Sequence, residues 1–273
     1  MRLHNCGRTL TIDVIKQGDF VFSDRFLAAL GAWQNGWRED RKRRLPITKE
    51  LLDAISAEHL PEQFVTCTKV CFRKRFLVPN NQQNGGDLGP LFLNGFIEEG
   101  VASWTTDAKF AQEFKDPLRD GTFSAVFAHL PSADEIVLNV PALWSVPAFQ
   151  KRVIEFEEIG GLNAKALTHF KFRQGEVILT AKLRYDEVHA LCGKSSPFEV
   201  LCELQGLSTD AERDSFWSEL VAAKKFPEEP CWIEGRKVQN VLERSRCKFM
   251  NKFGQIIDDL TDKRPSASDA GLS

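Results

Sequence analysis

The spacing of apolar and polar positions changes character twice along the chain. Residues 9–16 (TLTIDVIK) alternate with a period of two, which predicts a strand. After Ser23 and Asp24, a fitting helix cap, the stretch FLAALGAWQNGW carries apolar residues at helical spacing and runs into the charged segment 38–44. Residues 48–60 (TKELLDAISAEHL) predict a second helix, capped by Thr48, with Leu51, Leu52, Ile55 and Leu60 on one face. From Phe64 the residues become β-branched and aromatic, and FVTCTKVCFRKRFLV predicts a long strand ending at Pro79. An Asn- and Gly-rich loop follows, up to residue 89.

Beyond that loop the periods are short. VASWT at 101–105 reads as a strand, and DAKFAQEF as a short helix with Ala108, Ala111 and Phe114 inward. Strands are expected at 122–130 and 135–140, then a helix over 141–158 interrupted at Pro147. After the loop GGLNAK come strands at 175–181 and 183–191. Thr209 and Glu212 form a capping box ahead of SFWSELVAAKK, residues 235–252 predict a basic helix, and a disordered tail is expected from Lys263.

This order, helices then short strands then helices, predicts an α+β chain. It divides into a mainly helical segment at 1–63, a β core at 64–195, a helical C-terminal extension at 196–262 and a tail at 263–273.

Composition narrows this picture only modestly. With 42% hydrophobic and 10% aromatic residues the chain can bury a substantial core. The 36 Lys and Arg against 38 Asp and Glu leave a net charge of −2, so any nucleic-acid partner must be met by a local patch. Cysteines at 6, 67, 71, 192, 202, 231 and 247 form no CxxC pair and suit reduced thiols; no metal site is expected. The opening MRLHNCGRTLTIDV lacks a signal-peptide core, and a soluble cytoplasmic protein without a membrane partner is the expectation. Trp33 and Trp37, four apart on a helix, and Trp104, opposite its strand neighbours, are expected in the core.

Three short pieces carry the chemistry: Phe72-Arg73, then Ser103-Trp104-Thr105 leading into a helix, then Gln174-Gly175-Glu176 opening an apolar run. In this order they resemble the Arg-Ser-Glu signature of the mono-ADP-ribosyltransferases, most specifically in SWTTDAKFAQEF and FRQGEVIL. The resemblance covers about residues 70–190 and implies an ADP-ribosyltransferase-like split β-sandwich with NAD as the ADP-ribose donor. It implies Glu176 as the carboxylate that stabilises the oxocarbenium-like ribose as nicotinamide leaves. It implies Arg73 for the donor's phosphates, with Arg75, on the same strand face, competing for that role. Ser103, supported by Thr105, would hold Glu176 and the nicotinamide ribose in register.

Gln174 bears on the acceptor. Two residues from Glu176, it is expected on the same strand face. Where family members with a second Glu favour arginine, a neutral amide suits asparagine or a nucleobase edge. LTHFKFRQ at 167–174 would be the acceptor-recognition turn, its Phe170 and Phe172 interleaved with Lys171 and Arg173. Aromatics with nearby cations suit an unpaired nucleotide, so single-stranded nucleic acid, RNA before DNA, is the favoured acceptor. The competing reading makes Phe170 and Phe172 one core face of a strand.

An asparagine-type protein acceptor, an NAD glycohydrolase and a noncatalytic binding module remain open. Lys74 stands where the family often has glycine, and 131–165 reads as an insertion carrying Trp144. The chain also resembles toxins of bacterial toxin–antitoxin or phage-defence systems, which implies an inhibitory antitoxin partner.

Overall fold

The computed structural model describes residues 20–36, 41–78, 86–115, 123–171, 174–195, 198–223 and 229–262. The strand expected at 9–16, Phe172, Arg173, most of the Asn- and Gly-rich loop and the tail from Lys263 lie outside them. In chain order the elements are α1 (Asp24–Asn35), α2 (Arg41–Glu58), β1 (Cys71–Leu77), α3 (Leu88–Leu93), β2 (Phe96–Ile97), β3 (Val101–Thr105), α4 (Ala108–Glu113) and β4 (Phe123–His129). They continue with β5 (Ile136–Asn139), α5 (Val140–Trp144), α6 (Pro147–Glu158), α7 (Ala164–Phe170), β6 (Glu176–Thr180), β7 (Leu183–Arg184) and β8 (Val188–Ser195). The last are α8 (Phe198–Leu204), α9 (Asp210–Ala222), β9 (Glu229–Glu234) and α10 (Arg236–Asp262). The class is α+β, and the chain forms two compact units: Met1–Cys67 with Ile136–Ile178, and Thr68–Glu135 with Leu179–Ser273.

The first unit is built around α1. Ser23 Oγ accepts from the Phe26 N–H (3.2 Å) and donates to Glu58 Oε2 of α2 (2.6 Å), so one hydroxyl both caps α1 and ties it to its neighbour. Phe26, Leu27, Leu30 and Trp33 are buried at helical spacing, and α1 packs on α2, α6 and α7. Its approach to α7 needs Gly31, because a Cβ there would stand 2.6 Å from the Asn163 carbonyl oxygen. Phe22, Phe26, Phe64 and Phe149 are fully buried; Phe22 meets Phe149 edge to face at 5.0 Å.

α2 corrects the expected cap. The helix begins at Arg41 rather than at Thr48 and carries Pro46 within it; Thr48 lies inside, its hydroxyl buried without a hydrogen bond. The long basic side chains of RKRRL are good helix formers, and propensity outweighs the capping signal. Leu51 and Ala54 supply the buried face, while Leu52, expected inward, is 38% exposed. Farther on, Pro147 breaks the chain as expected, ending one helix and opening α6 at its first turn.

The second unit holds an antiparallel sheet of order β3-β1-β4-β8-β9 and a separate β2-β7 pair. Arg73 sits opposite Phe127 and Arg75 opposite Ala125 in the β1–β4 register, and Phe72 sits opposite Thr105 across β1–β3. β1 is shorter than the sequence suggests: Glu62–Phe64 is a turn of 3₁₀ helix, and the strand starts at Cys71. The strand expected at 183–191 is interrupted by another such turn, Tyr185–Glu187.

α3, α8 and β9 go beyond the sequence expectation, and β9 pairs with β8, so residues 229–234 complete a sheet in a region read as helical. Ala111 is buried as expected, but Phe114, at the end of α4, is 43% exposed. The capping box of Thr209 and Glu212 forms as expected, and the basic helix at 235–252 is the first part of α10. No helix among the described residues is long and apolar enough to cross a membrane.

β4 ends in a charged cluster. His129 is buried, with Nδ1 2.8 Å from Glu187 Oε1 and Nε2 2.9 Å from Glu135 Oε2. Burial opposes its charging, but the bonds to Glu187 and Glu135 prevail and hold its pKa above the ordinary 6.5. Burial likewise works against the Glu135 anion, yet the Ser132 N–H, His129 and the Ser132 hydroxyl take its pKa below 4.5. The His129 contribution to stability is therefore complete below pH 6.5 and disappears as pH rises through the raised value; that of Glu135 is present above pH 4.5 and disappears as pH falls. Urea midpoints should show wild type losing its advantage over His129→Gln as pH climbs from 6 to 9. Parallel curves for the two proteins would refute this origin of the pH dependence.

Candidate functional site

In the first unit, α1 and β6 bring together the elements of a carboxylate site. β6 begins at Glu176, whose residue is only 4% exposed. A buried carboxylate costs several kcal/mol unless donors replace its water. Two adjacent α1 residues supply them: Trp33 Nε1 donates to Oε1 at 3.0 Å and Gln34 Nε2 to Oε2 at 3.0 Å. With a donor from α1 fixed on each oxygen, the carboxyl plane is oriented. The remaining acceptor of the same amide, Gln34 Oε1, is buried and accepts no hydrogen bond among the described residues.

Glu176 also lines a pocket of about 300 Å³ with Gly175, Phe170 and Lys171, and with Val140, Pro141, Trp144 and Ser145 of α5 and its end. Lys171 Nζ lies 4.8 Å from the Trp144 ring centre, a cation–π distance. The pocket thus combines aromatic and aliphatic walls with one oriented anion and one cation. Mostly apolar concavities carrying a few placed polar groups are what small ligands bind.

The approach to Glu176 differs from the expectation. Gln174 precedes β6, and Gly175 between them has φ +52°, a left-handed turn that glycine adopts without strain. Strand alternation therefore does not place Gln174 and Glu176 on one face. Within the stretch 167–174 expected as a turn, 167–170 belong to the helix α7, Ala164–Phe170. This removes the reading of Phe170 as part of a core strand face, and Phe170 instead stands half-buried on the pocket wall. Phe172 and Arg173, expected to meet the acceptor, lie outside the described residues.

The second unit holds the arginine and serine motifs. Arg73 donates through Nε to Glu99 Oε1 (3.0 Å), through Nη1 to the Ser103 carbonyl (2.7 Å), and through Nη2 again to Glu99. Arg75 shares Glu99 (3.3 Å to Oε2) and also reaches Asp87 Oδ1 at 3.2 Å. The two arginines expected to compete are therefore joined by one buried carboxylate, with side chains 19% and 31% exposed. Arg73 also ties β1 to the main chain of Ser103, which gives it a structural duty beside any ligand role.

Thr105 is buried, and its hydroxyl accepts from the Asp107 N–H (3.1 Å), while Asp107 caps α4 by accepting from the Phe110 N–H (3.0 Å). Lys74 is also accounted for. Its ammonium donates to the carbonyls of Gln112, Phe114 and Lys115 at 3.0–3.2 Å, closing the C-terminal end of α4, and lies 5.4 Å from the Trp232 ring centre. A glycine at this position would remove this donor from the three carbonyls.

The residues that sequence reasoning missed are Gln34 and Glu99 as partners, and Trp33 as a donor rather than only a core residue. Glu99 had one local signal, an acidic pair immediately before Gly100, which has φ +68°. No cluster of three or more His, Cys, Asp or Glu among the described residues is placed to hold a metal ion. No protein-family model, curated protein or solved structure matches the chain.

Proposed function

We propose that this chain is an NAD-dependent mono-ADP-ribosyltransferase in which Glu176 promotes loss of nicotinamide and the acceptor is a base of single-stranded RNA. The observation that carries the reading is Glu176 itself: a buried carboxylate, held on both oxygens by α1, at the wall of a pocket large enough for part of a nucleotide. An anion preorganised in a poorly hydrated wall stabilises cationic character far better than one in water, and departure of nicotinamide develops that charge on the ribose. The bond from C1′ to the nicotinamide nitrogen breaks with its electron pair leaving on nicotinamide. A nitrogen or oxygen of the acceptor forms the new bond to C1′, and its proton passes to solvent.

The Arg-Ser-Glu resemblance supplies the donor roles: Arg73 or Arg75 for the phosphates, Ser103 and Thr105 near the nicotinamide ribose. The antiparallel sheet of the second unit is compatible with the ADP-ribosyltransferase-like split β-sandwich that this reading entails. A chain with this activity would need restraint in its own cell, which is the basis for reading it as a toxin with an inhibitory partner protein.

The test is to incubate the protein with NAD labelled in the ADP-ribose part, together with RNA, DNA and cell lysate. The expected label is on single-stranded RNA, resistant to protease and sensitive to ribonuclease. Label on protein alone would replace the nucleobase acceptor by a side chain, and free ADP-ribose alone would make the chain a glycohydrolase.

Trp33 is a positioning residue in this scheme. Trp33→Phe keeps an aromatic ring, though a smaller one, and deletes the indole N–H bond to the carboxylate, so kcat should fall about tenfold, the equivalent of one lost charge-assisted bond, with KM for NAD within about twofold. An unchanged kcat would show that orientation of Glu176 by α1 has no catalytic consequence.

A further inference from the structure

We infer that the pocket walled by Trp144, Phe170 and Lys171 is the subsite for the acceptor: it takes one unpaired nucleobase, with the attached phosphate at Lys171. The inference rests on the proposed reaction and adds to it which surface selects the acceptor. Three features of the first unit support it.

The first is size. About 300 Å³ lies at the small end of ligand sites, room for one base and part of its sugar but not for a base pair, so a base must arrive unpaired or be turned out of its stack. The second is the chemistry of the lining. Exposed Pro141 and half-buried Phe170 offer apolar and aromatic surface to a flat ring, with buried Val140 and Trp144 behind them, which is sequence-tolerant recognition. The third is charge. Lys171 adds a cation to a wall whose anion is Glu176, so a ligand with a neutral ring at one end and a phosphate at the other matches the lining, whereas a carboxylate-rich or purely apolar ligand does not.

The subsite explains a part of the chain that the Arg-Ser-Glu resemblance leaves over. α5 and Trp144 belong to the segment 131–165 read as an insertion, and here they form one wall of the pocket beside Glu176. Acceptor choice then lies with α5 and the end of α7 rather than with Gln174 alone.

Binding is measured on the full chain by saturation-transfer NMR, with cytidine and uridine monophosphates as probes and nicotinamide and ribose 5-phosphate as controls. Saturation should reach the base protons of the monophosphates. Both controls should bind at least tenfold more weakly. Ser145 is exposed at the pocket, and Ser145→Phe should weaken monophosphate binding at least tenfold. Lys171→Ala should weaken the monophosphates several-fold while leaving the free nucleosides within about twofold.

Monophosphate binding that survives Ser145→Phe unchanged overturns the assignment, as does nicotinamide binding as tightly as the monophosphates, which would make this the leaving-group pocket. In the labelled-NAD assay, Ser145→Phe should reduce transfer to RNA at least tenfold more than it reduces nicotinamide release; equal losses overturn the assignment. A wild-type protein that binds the monophosphates but never cleaves NAD would retain the nucleotide pocket and refute the transferase reading, so the two failures are distinguishable.

Discussion

Glu176→Gln should lower nicotinamide release from NAD by about 10²–10³-fold while leaving the protein folded. The rate loss is the usual magnitude for deleting one preorganised electrostatic partner of a transition state. The stability expectation follows from the surroundings. The amide is nearly isosteric with the carboxylate, and no charge need then be buried, but its NH₂ must face either the Trp33 or the Gln34 donor. These changes oppose one another, and the net effect on unfolding free energy should stay within about 1 kcal/mol. Activity would be followed as released nicotinamide, and stability by a urea titration of the same preparation. A variant that is folded and fully active would remove Glu176 from the mechanism, whatever the fate of the acceptor assignment.

The largest expected stability effect lies in the second unit. Arg73→Met deletes a guanidinium whose Nε, Nη1 and Nη2 all donate within the protein, leaving Glu99, only 1% exposed in its side chain, with Arg75 at 3.3 Å. Removing one member of a buried ion pair typically costs about 3–5 kcal/mol, and the remaining arginine places this case near the lower figure, about 3 kcal/mol. In thermal unfolding that corresponds to a midpoint lower by roughly 10 °C. Arg73→Met combined with Glu99→Gln should recover part of the loss, since no uncompensated charge then remains. If the single variant melts with wild type, the bonds of Arg73 to Glu99 and the Ser103 carbonyl do not anchor β1. If the double variant is less stable than the single one, the cost does not come from an unpaired carboxylate.

What could be read in the sequence was local. The Ser23 cap of α1, the strand Val101–Thr105 with a short helix after it, the break at Pro147 and the capping box of Thr209 each depend on residues a few positions apart. Failures had local competitors. Thr48 has the chemistry of a cap, but the helix-favouring basic run before it carries the helix upstream to Arg41. Residues 167–174 mix aromatics and cations in a way that suits a recognition turn, yet 167–170 belong to the helix α7, whose Ala164 and Leu167 are buried.

The candidate site divides along the same line. Glu176 could be singled out from its motif, but its donors lie 143 and 142 residues away in the chain, and no periodicity relates such positions. Arg73 and Arg75 could be placed on one strand face, and their rivalry could not be settled, because the carboxylate joining them enters from residue 99. The shared face expected of Gln174 and Glu176 failed for a different reason: the glycine between them turns the backbone, and the strand begins at Glu176, two residues after Gln174.

The most direct test of the central claim is the nicotinamide released when purified full-length protein meets NAD and single-stranded RNA, counted against ADP-ribose recovered on the RNA by mass spectrometry. One nicotinamide should be released for each ADP-ribose bound to a base, with both products lost together in Glu176→Gln. RNA left unmodified and NAD left intact by the wild-type protein would contradict it.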